Sequence, residues 1–164
     1  MNILELPVYL ATRRNHALEH ATLKILARKY DDKMLAGHSN PTGFFLFGDM
    51  STEDIRDAIQ EAETRLRAGE HDLAIHPGCG TNMATSMVVP AAFAWLPFQG
   101  ARSTRGRLLL LPVGLTFALF GYLLSKPLGP WFQRHVTTEA NLGNLQVVEI
   151  KPVRKGVHRV ATRS

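Results

Sequence analysis

Two stretches without a single Asp, Glu, Lys or Arg constrain this chain more than any other feature. They are residues 77–101, which include MATSMVVPAAFAWLPF, and residues 108–125, LLLLPVGLTFALFGYLLS. A membrane-spanning helix needs about 20 mostly apolar residues, within a range of roughly 17–25, so both qualify by length. The second is the stronger candidate. The first holds Pro90 and Pro97, which implies a kinked span or a segment that only dips into the bilayer; such prolines are tolerated where neighbouring groups satisfy the freed carbonyls. The competing expectation is a buried helical hairpin in a soluble protein, which the rest of a 164-residue chain would have to cover on both sides.

Charge divides the sequence at the same place. Residues 1–76 carry nine Lys/Arg against twelve Asp/Glu, whereas residues 77–164 carry ten against two. A split this sharp implies two environments rather than one basic surface. The basic half lacks the interleaved aromatics of a single-strand nucleic-acid surface, so a bilayer accounts for its charge better and no nucleic-acid partner is expected. The single cysteine, Cys79, excludes an internal disulfide and fits a reducing compartment. At the N-terminus, MNILELPVYLATRRN places its apolar residues before its arginines, the reverse of a signal peptide. A multi-pass protein of the cell membrane is expected, with the acidic half in the cytoplasm and a two-span hairpin returning the basic end to that side. Arg102, Arg105 and Arg107, in the short connection between the apolar runs, oppose this topology because they would then face outward.

Outside the apolar runs, the pattern predicts a small α+β unit. Residues 9–30 have helical spacing, residues 31–43 read as a loop, and GFFLFG as a strand. Ser51 and Asp54 resemble a capping box, opening a helix to about Ala68 with Ile55, Ala58, Ile59, Ala62 and Leu66 on one stripe. DLAI (72–75) and LQVVEI (145–150) are further strand candidates. The expected organisation is a metal-site unit at 1–81, a membrane hairpin at 82–126 (helices near 83–99 and 108–125), a returning segment at 127–150 and a basic tail at 151–164 lying on anionic headgroups.

Chemistry concentrates in His16-Ala17-Leu18-Glu19-His20, an H-x-x-E-H segment within the first helix. Positions i, i+3 and i+4 share a helix face, so two imidazoles and a carboxylate project together. Two neutral imidazoles can bind one divalent ion while the carboxylate stands beside its water, as in the inverted zincin motif. The alternative is a polar face with both histidines hydrogen-bonded to neighbours. His76-Pro77-Gly78-Cys79 sets an imidazole and a thiol in a Pro/Gly turn of metal-knuckle type. Nitrogen and sulfur donors favour zinc among divalent ions, with another transition metal as the alternative. Four ligands, His16, His20, His76 and Cys79, would make a closed structural site; three would leave room for water. Thr138 and Glu139, after the second apolar run, are candidates for outer-sphere contacts or a further ligand, with a helix end or turn as the alternative. His38 and His71 read as surface residues, His135 and His158 as interfacial, and Trp131-Phe132 beside Arg134 as an aromatic anchor.

NHALEH, HPGCGTN, the apolar hairpin, GPWFQRHVTTE and LQVVEI, in that order over residues 15–150, resemble the YqhQ-like family of predicted metal-dependent membrane enzymes. Its members read approximately HGAEHK, HPRCGT, a membrane stretch, PGLWLQ, TTREP and a QIEVA-type strand. LAGHSNPTGFFLFGD and RAGEHDLAIHPGCGTN also resemble a small family from photosynthetic bacteria. The resemblance implies a metal at His16, His20 and His76, with Cys79 as a further ligand and Glu19 as base. This chain departs from the YqhQ-like pattern at Ala21, where that family has Lys, and at Gly78, where it has Arg. The function expected is a membrane-anchored, zinc-dependent hydrolase, of peptidase type or acting on an ester or amide lipid. The alternative is a non-catalytic zinc protein, such as a membrane assembly factor.

Overall fold

The structure is a computed structural model that describes residues 3–164. Its main elements are α1 (Pro7–Leu26), β1 (Ala36–Asn40), β2 (Gly43–Phe47), α2 (Thr52–Arg67), α3 (Gly80–Trp95), α4 (Thr104–Leu109), α5 (Leu111–Phe132), β3 (Gln146–Arg154) and β4 (Val157–Arg163). They form two compact units. One combines the chain up to His76 with Arg134–Ser164, and the other is Pro77–Gln133. The class is α+β, as the sequence pattern predicts.

The first unit is built on a four-stranded antiparallel sheet in the order β1-β2-β4-β3. β2 alternates, with Phe44 and Leu46 fully buried, and Phe44 lies opposite Val160 of β4. On that face Leu18, Ala21 and Leu26 of α1 and Ile55, Ile59, Ala62 and Leu66 of α2 complete the core. Each large side chain buried there is worth roughly 1.5–3 kcal/mol. α2 starts where its cap predicts, the Ser51 hydroxyl accepting from the Asp54 amide at 3.0 Å. The Lys29 ammonium, with the Tyr30 and Ser51 hydroxyls, holds the Asp54 carboxyl at a pKa of about 2. α1 ends at Leu26, short of the expected residue 30, because the chain turns off there and sends the Tyr30 hydroxyl to Asp54 at 2.5 Å.

Four expectations are corrected. The supposed loop 31–43 contains β1, whose AGHSN sequence carries no apolar alternation; a tight turn pairs it with β2, and at Gly43 (φ +132°) a Cβ would lie 2.0 Å from the Val160 carbonyl oxygen. DLAI is no strand: His71–Ala74 is a 3-10 turn that buries Leu73 and Ala74. The strand expected at 145–150 continues to Arg154. Residues 151–164 are no tail on headgroups, since β4 lies between β2 and β3 with Val157, His158 and Val160 buried. Arg159 lies over the Phe45 ring at 4.7 Å, so the charge that suggested a tail decorates a strand.

In the second unit α3 and α5 run antiparallel, with Asn82 against Gly129, Pro90 and Phe93 against Gly121, and Phe98 against Gly114. The seam of α5 is small: Gly114, Gly121, Ser125 and Gly129 are buried. Its larger residues face away, Leu109 of the adjoining α4 being 81% exposed and Leu115 of α5 71%. Of the two expected spans, one meets the length and composition of a membrane-crossing helix among the described residues: Leu111–Thr137, which continues α5 through a π turn. α3 has 16 residues and contains Pro90. The connection expected at 102–107 is largely α4, its Ser103 hydroxyl accepting from the Gly106 amide at 3.1 Å.

Candidate metal centre

α1 is fixed in rotation by Asn15, one residue before the H-x-x-E-H segment. The Asn15 side-chain amide donates to the Asn40 carbonyl at 2.9 Å, and its oxygen accepts from the Thr162 hydroxyl at 2.7 Å. The next residue, His16, and His20 one turn on then stand with ring centroids 4.2 Å apart at 60°.

Each ring is held through the same atom. His20 Nδ1 lies 2.6 Å from the Ala74 carbonyl, and His16 Nδ1 lies 2.9 Å from the Thr137 carbonyl. A carbonyl oxygen only accepts, so both Nδ1 atoms carry the hydrogen and donate it. In the neutral ring the lone pair then sits on Nε2, the ligating form, and the carbonyl contact is the one that metal-bound imidazoles typically make. His76 follows Ala74 closely in sequence, and its ring centroid lies 5.6 Å from that of His20. The turn after α2 thus orients one imidazole and supplies another.

The segment presenting Thr137 is tied back to α1 by Arg13. Its guanidinium donates to the His135 carbonyl (3.3 Å) and the Thr138 carbonyl (3.0 Å) and lies 3.6 Å from the Glu139 carboxylate; the Glu139 amide donates to the Arg13 carbonyl at 3.0 Å. Of the stretch singled out in the sequence, the group touching His16 is the Thr137 carbonyl. Thr138 is buried, and the Glu139 carboxylate turns toward Arg13 and the Asn141 amide.

Glu19 is 3% exposed and accepts from the Ser39 hydroxyl at 2.5 Å. It rests on Gly37, where a Cβ would come within 2.3 Å of Oε1. Gly37 and Ser39 share one face of β1. That strand floors the carboxylate, a role no sequence motif indicated. Asn15, Arg13, Gly37 and Ser39 were likewise absent from the sequence candidates.

Cys79 belongs to the second unit, three residues beyond His76. It caps α3, its sulfur accepting from the Thr81 backbone amide at 3.4 Å, and the Asn82 side-chain amide closes the turn by donating to the Pro77 carbonyl at 3.0 Å. His38, His71 and His135 are exposed. His158, expected at an interface, is instead buried in β4 with Nε2 3.0 Å from the Thr52 hydroxyl, and burial lowers its pKa.

Residues 11–150 match the family model described as a domain of unknown function, DUF6391. The chain belongs to the DUF6391 family. An uncharacterized protein of the cyanobacterium Picosynechococcus is 35% identical over 156 residues, covering 85% of this chain and 71% of that one. No solved structure matches. The DUF6391 match takes in His16, Glu19, His20, His76, Cys79 and the Thr137 carbonyl, and it stops before β4.

Proposed function

We propose that this DUF6391 protein is a membrane-embedded, zinc-dependent hydrolase in which His16 and His20 are metal ligands and His76 or Cys79 completes the set. The observation carrying the reading is the pair of Nδ1–H contacts to the Ala74 and Thr137 carbonyls, which directs both Nε2 lone pairs to ligation. Bound Zn²⁺ would supply Lewis acidity and bring the pKa of a water toward about 7. Glu19 takes the water's proton and passes it to the leaving group, while Ser39 fixes the carboxylate. The substrate is a carbonyl compound at the bilayer, a peptide or an amide or ester lipid. The resemblance to YqhQ-like proteins supports the same metal set.

The bilayer reading extends to both α3 and α5. It is supported by the small-residue seam between them, the way membrane helices pack, and by outward leucines that water would penalise. Only 17% of the apolar window of α5 is buried, unlike the core helix of a soluble protein. The cytosolic placement of the first unit is supported by the seven Lys/Arg against two Asp/Glu from Lys126 onward, as the positive-inside tendency expects.

A closed structural site is the second reading, favoured by the burial of Glu19 on Gly37. Metal content per chain, measured by plasma mass spectrometry on detergent-purified protein, tests both. About one zinc is expected in the wild type and none in His16→Ala. Zinc kept in either Cys79→Ala or His76→Ala indicates an open position; zinc lost in both indicates the closed site. Glu19→Gln keeps zinc in either case and abolishes turnover only in the hydrolase. A metal-free wild type overturns the proposal.

A further inference from the structure

The second unit holds a groove of about 430 Å³ at the end where the chain enters α3, walled by Cys79, Asn82 and Met83 on one side and Tyr122, Ser125 and Lys126 on the other. Its volume falls in the range of small-ligand sites, roughly 300–1,000 Å³. Ser86 and Ser125 line it with small side chains, Ser125 from the buried seam of α5. The lining is mostly apolar, and its one charge is the Lys126 ammonium, which lies 5.1 Å from the Tyr122 ring centroid.

That charge has no acidic counterpart in its own unit, because residues 77–133 contain no Asp or Glu. A single cation in a mostly apolar groove complements a ligand with one negative group and a long apolar body. A peptide fits worse. Every residue of an extended peptide would bring an N–H and a C=O into apolar surroundings, at a cost of several kcal/mol for each unsatisfied group, whereas an acyl chain brings none.

We propose that this groove seats an anionic lipid, its headgroup phosphate on Lys126 and the start of one acyl chain along Met83 and Tyr122. The proposal rests on the metal-centre reading and names anionic lipid as the substrate class of that hydrolase.

The test is native mass spectrometry of the full zinc-loaded chain in neutral detergent, titrated with phosphatidylglycerol and with phosphatidylcholine, zinc being counted on the same samples. Phosphatidylglycerol should bind about tenfold more tightly, a difference of about 1.4 kcal/mol. Lys126→Gln should bring the ratio near one, Ser86→Trp should weaken both lipids, and Arg105→Gln, outside the groove, should change neither. Inorganic phosphate at the same concentration should not compete; competition by it would place the recognition in the phosphate alone and overturn the lipid assignment. An unchanged ratio in Lys126→Gln, or displacement of phosphatidylglycerol by an acidic apolar peptide, also overturns the groove proposal. Zinc present without lipid discrimination overturns the groove and leaves the metal centre standing. Discrimination without zinc overturns the metal centre, and with it the substrate assignment.

Discussion

Glu19 lies where it does because position 37 has no side chain. A methyl group there would meet Oε1 at 2.3 Å, with Cδ at 2.5 Å behind it, so the carboxylate would have to leave the strand. Gly37→Ala should therefore destabilise the protein by about 1–3 kcal/mol, the usual cost of overpacking. In thermal unfolding in detergent, most of that loss should return in the Glu19→Ala, Gly37→Ala double variant, because residues in contact do not act additively. At this scale the sequence was readable where side chains carry the information. The spacing of His16 and His20 sets their rings 4.2 Å apart, while the Glu19 carboxylate lies on Ser39 and Gly37. The partners were not readable, for a physical reason: the groups orienting the imidazoles are the Ala74 and Thr137 carbonyls, and every residue has a carbonyl. Thr138 and Glu139 follow the Thr137 carbonyl by one and two residues; a polar, turn-forming stretch marks a segment but not which backbone oxygen it aims.

Among the elements, α2 was legible because its cap, apolar stripe and Gly69 stop agree with one another. DLAI was not, since four apolar-rich residues fit a strand or a single turn equally well. β4 was hidden by its basic residues, which outweigh Val157 and Val160 in any local average. The α3–α5 pair reverses the usual logic of a core by burying its glycines and exposing its leucines. At Gly121 a Cβ would come within 2.9 Å of the Pro90 Cα and the Phe93 Cβ. Gly121→Leu should consequently force the helices apart, seen as a lowered unfolding temperature in detergent and faster proteolysis between α3 and α5. Leu115→Ala, on the outer face, should stay within about 0.5 kcal/mol of the wild type in the same assay. A hairpin packed like a soluble protein would show the opposite order.

The whole molecule is an α+β unit interrupted by a helical one, its sheet assembled from both ends of the sequence. The charge split falls at the boundary where the helical unit begins, but it could not reveal that the distal basic segment returns to the sheet interior. Ending the chain after Arg154 removes β4, and should abolish the first unit's cooperative unfolding and its metal content rather than only weaken lipid attachment. Circular dichroism with a zinc count checks this, beside a full-length variant carrying Arg154→Gln, Lys155→Gln and Arg163→Gln that should remain folded.

The sheet order also sets a timetable. Phe47 pairs with Val157 and Phe44 with Val160, so β2 leaves the ribosome with one edge bare until β4 has been made. At roughly 5–20 residues per second that wait lasts on the order of 5–20 s. Both apolar helices are translated within it, and so is the Thr137 carbonyl that orients His16. The histidine pair thus cannot take up its carbonyl-held orientation before both apolar helices have been synthesised.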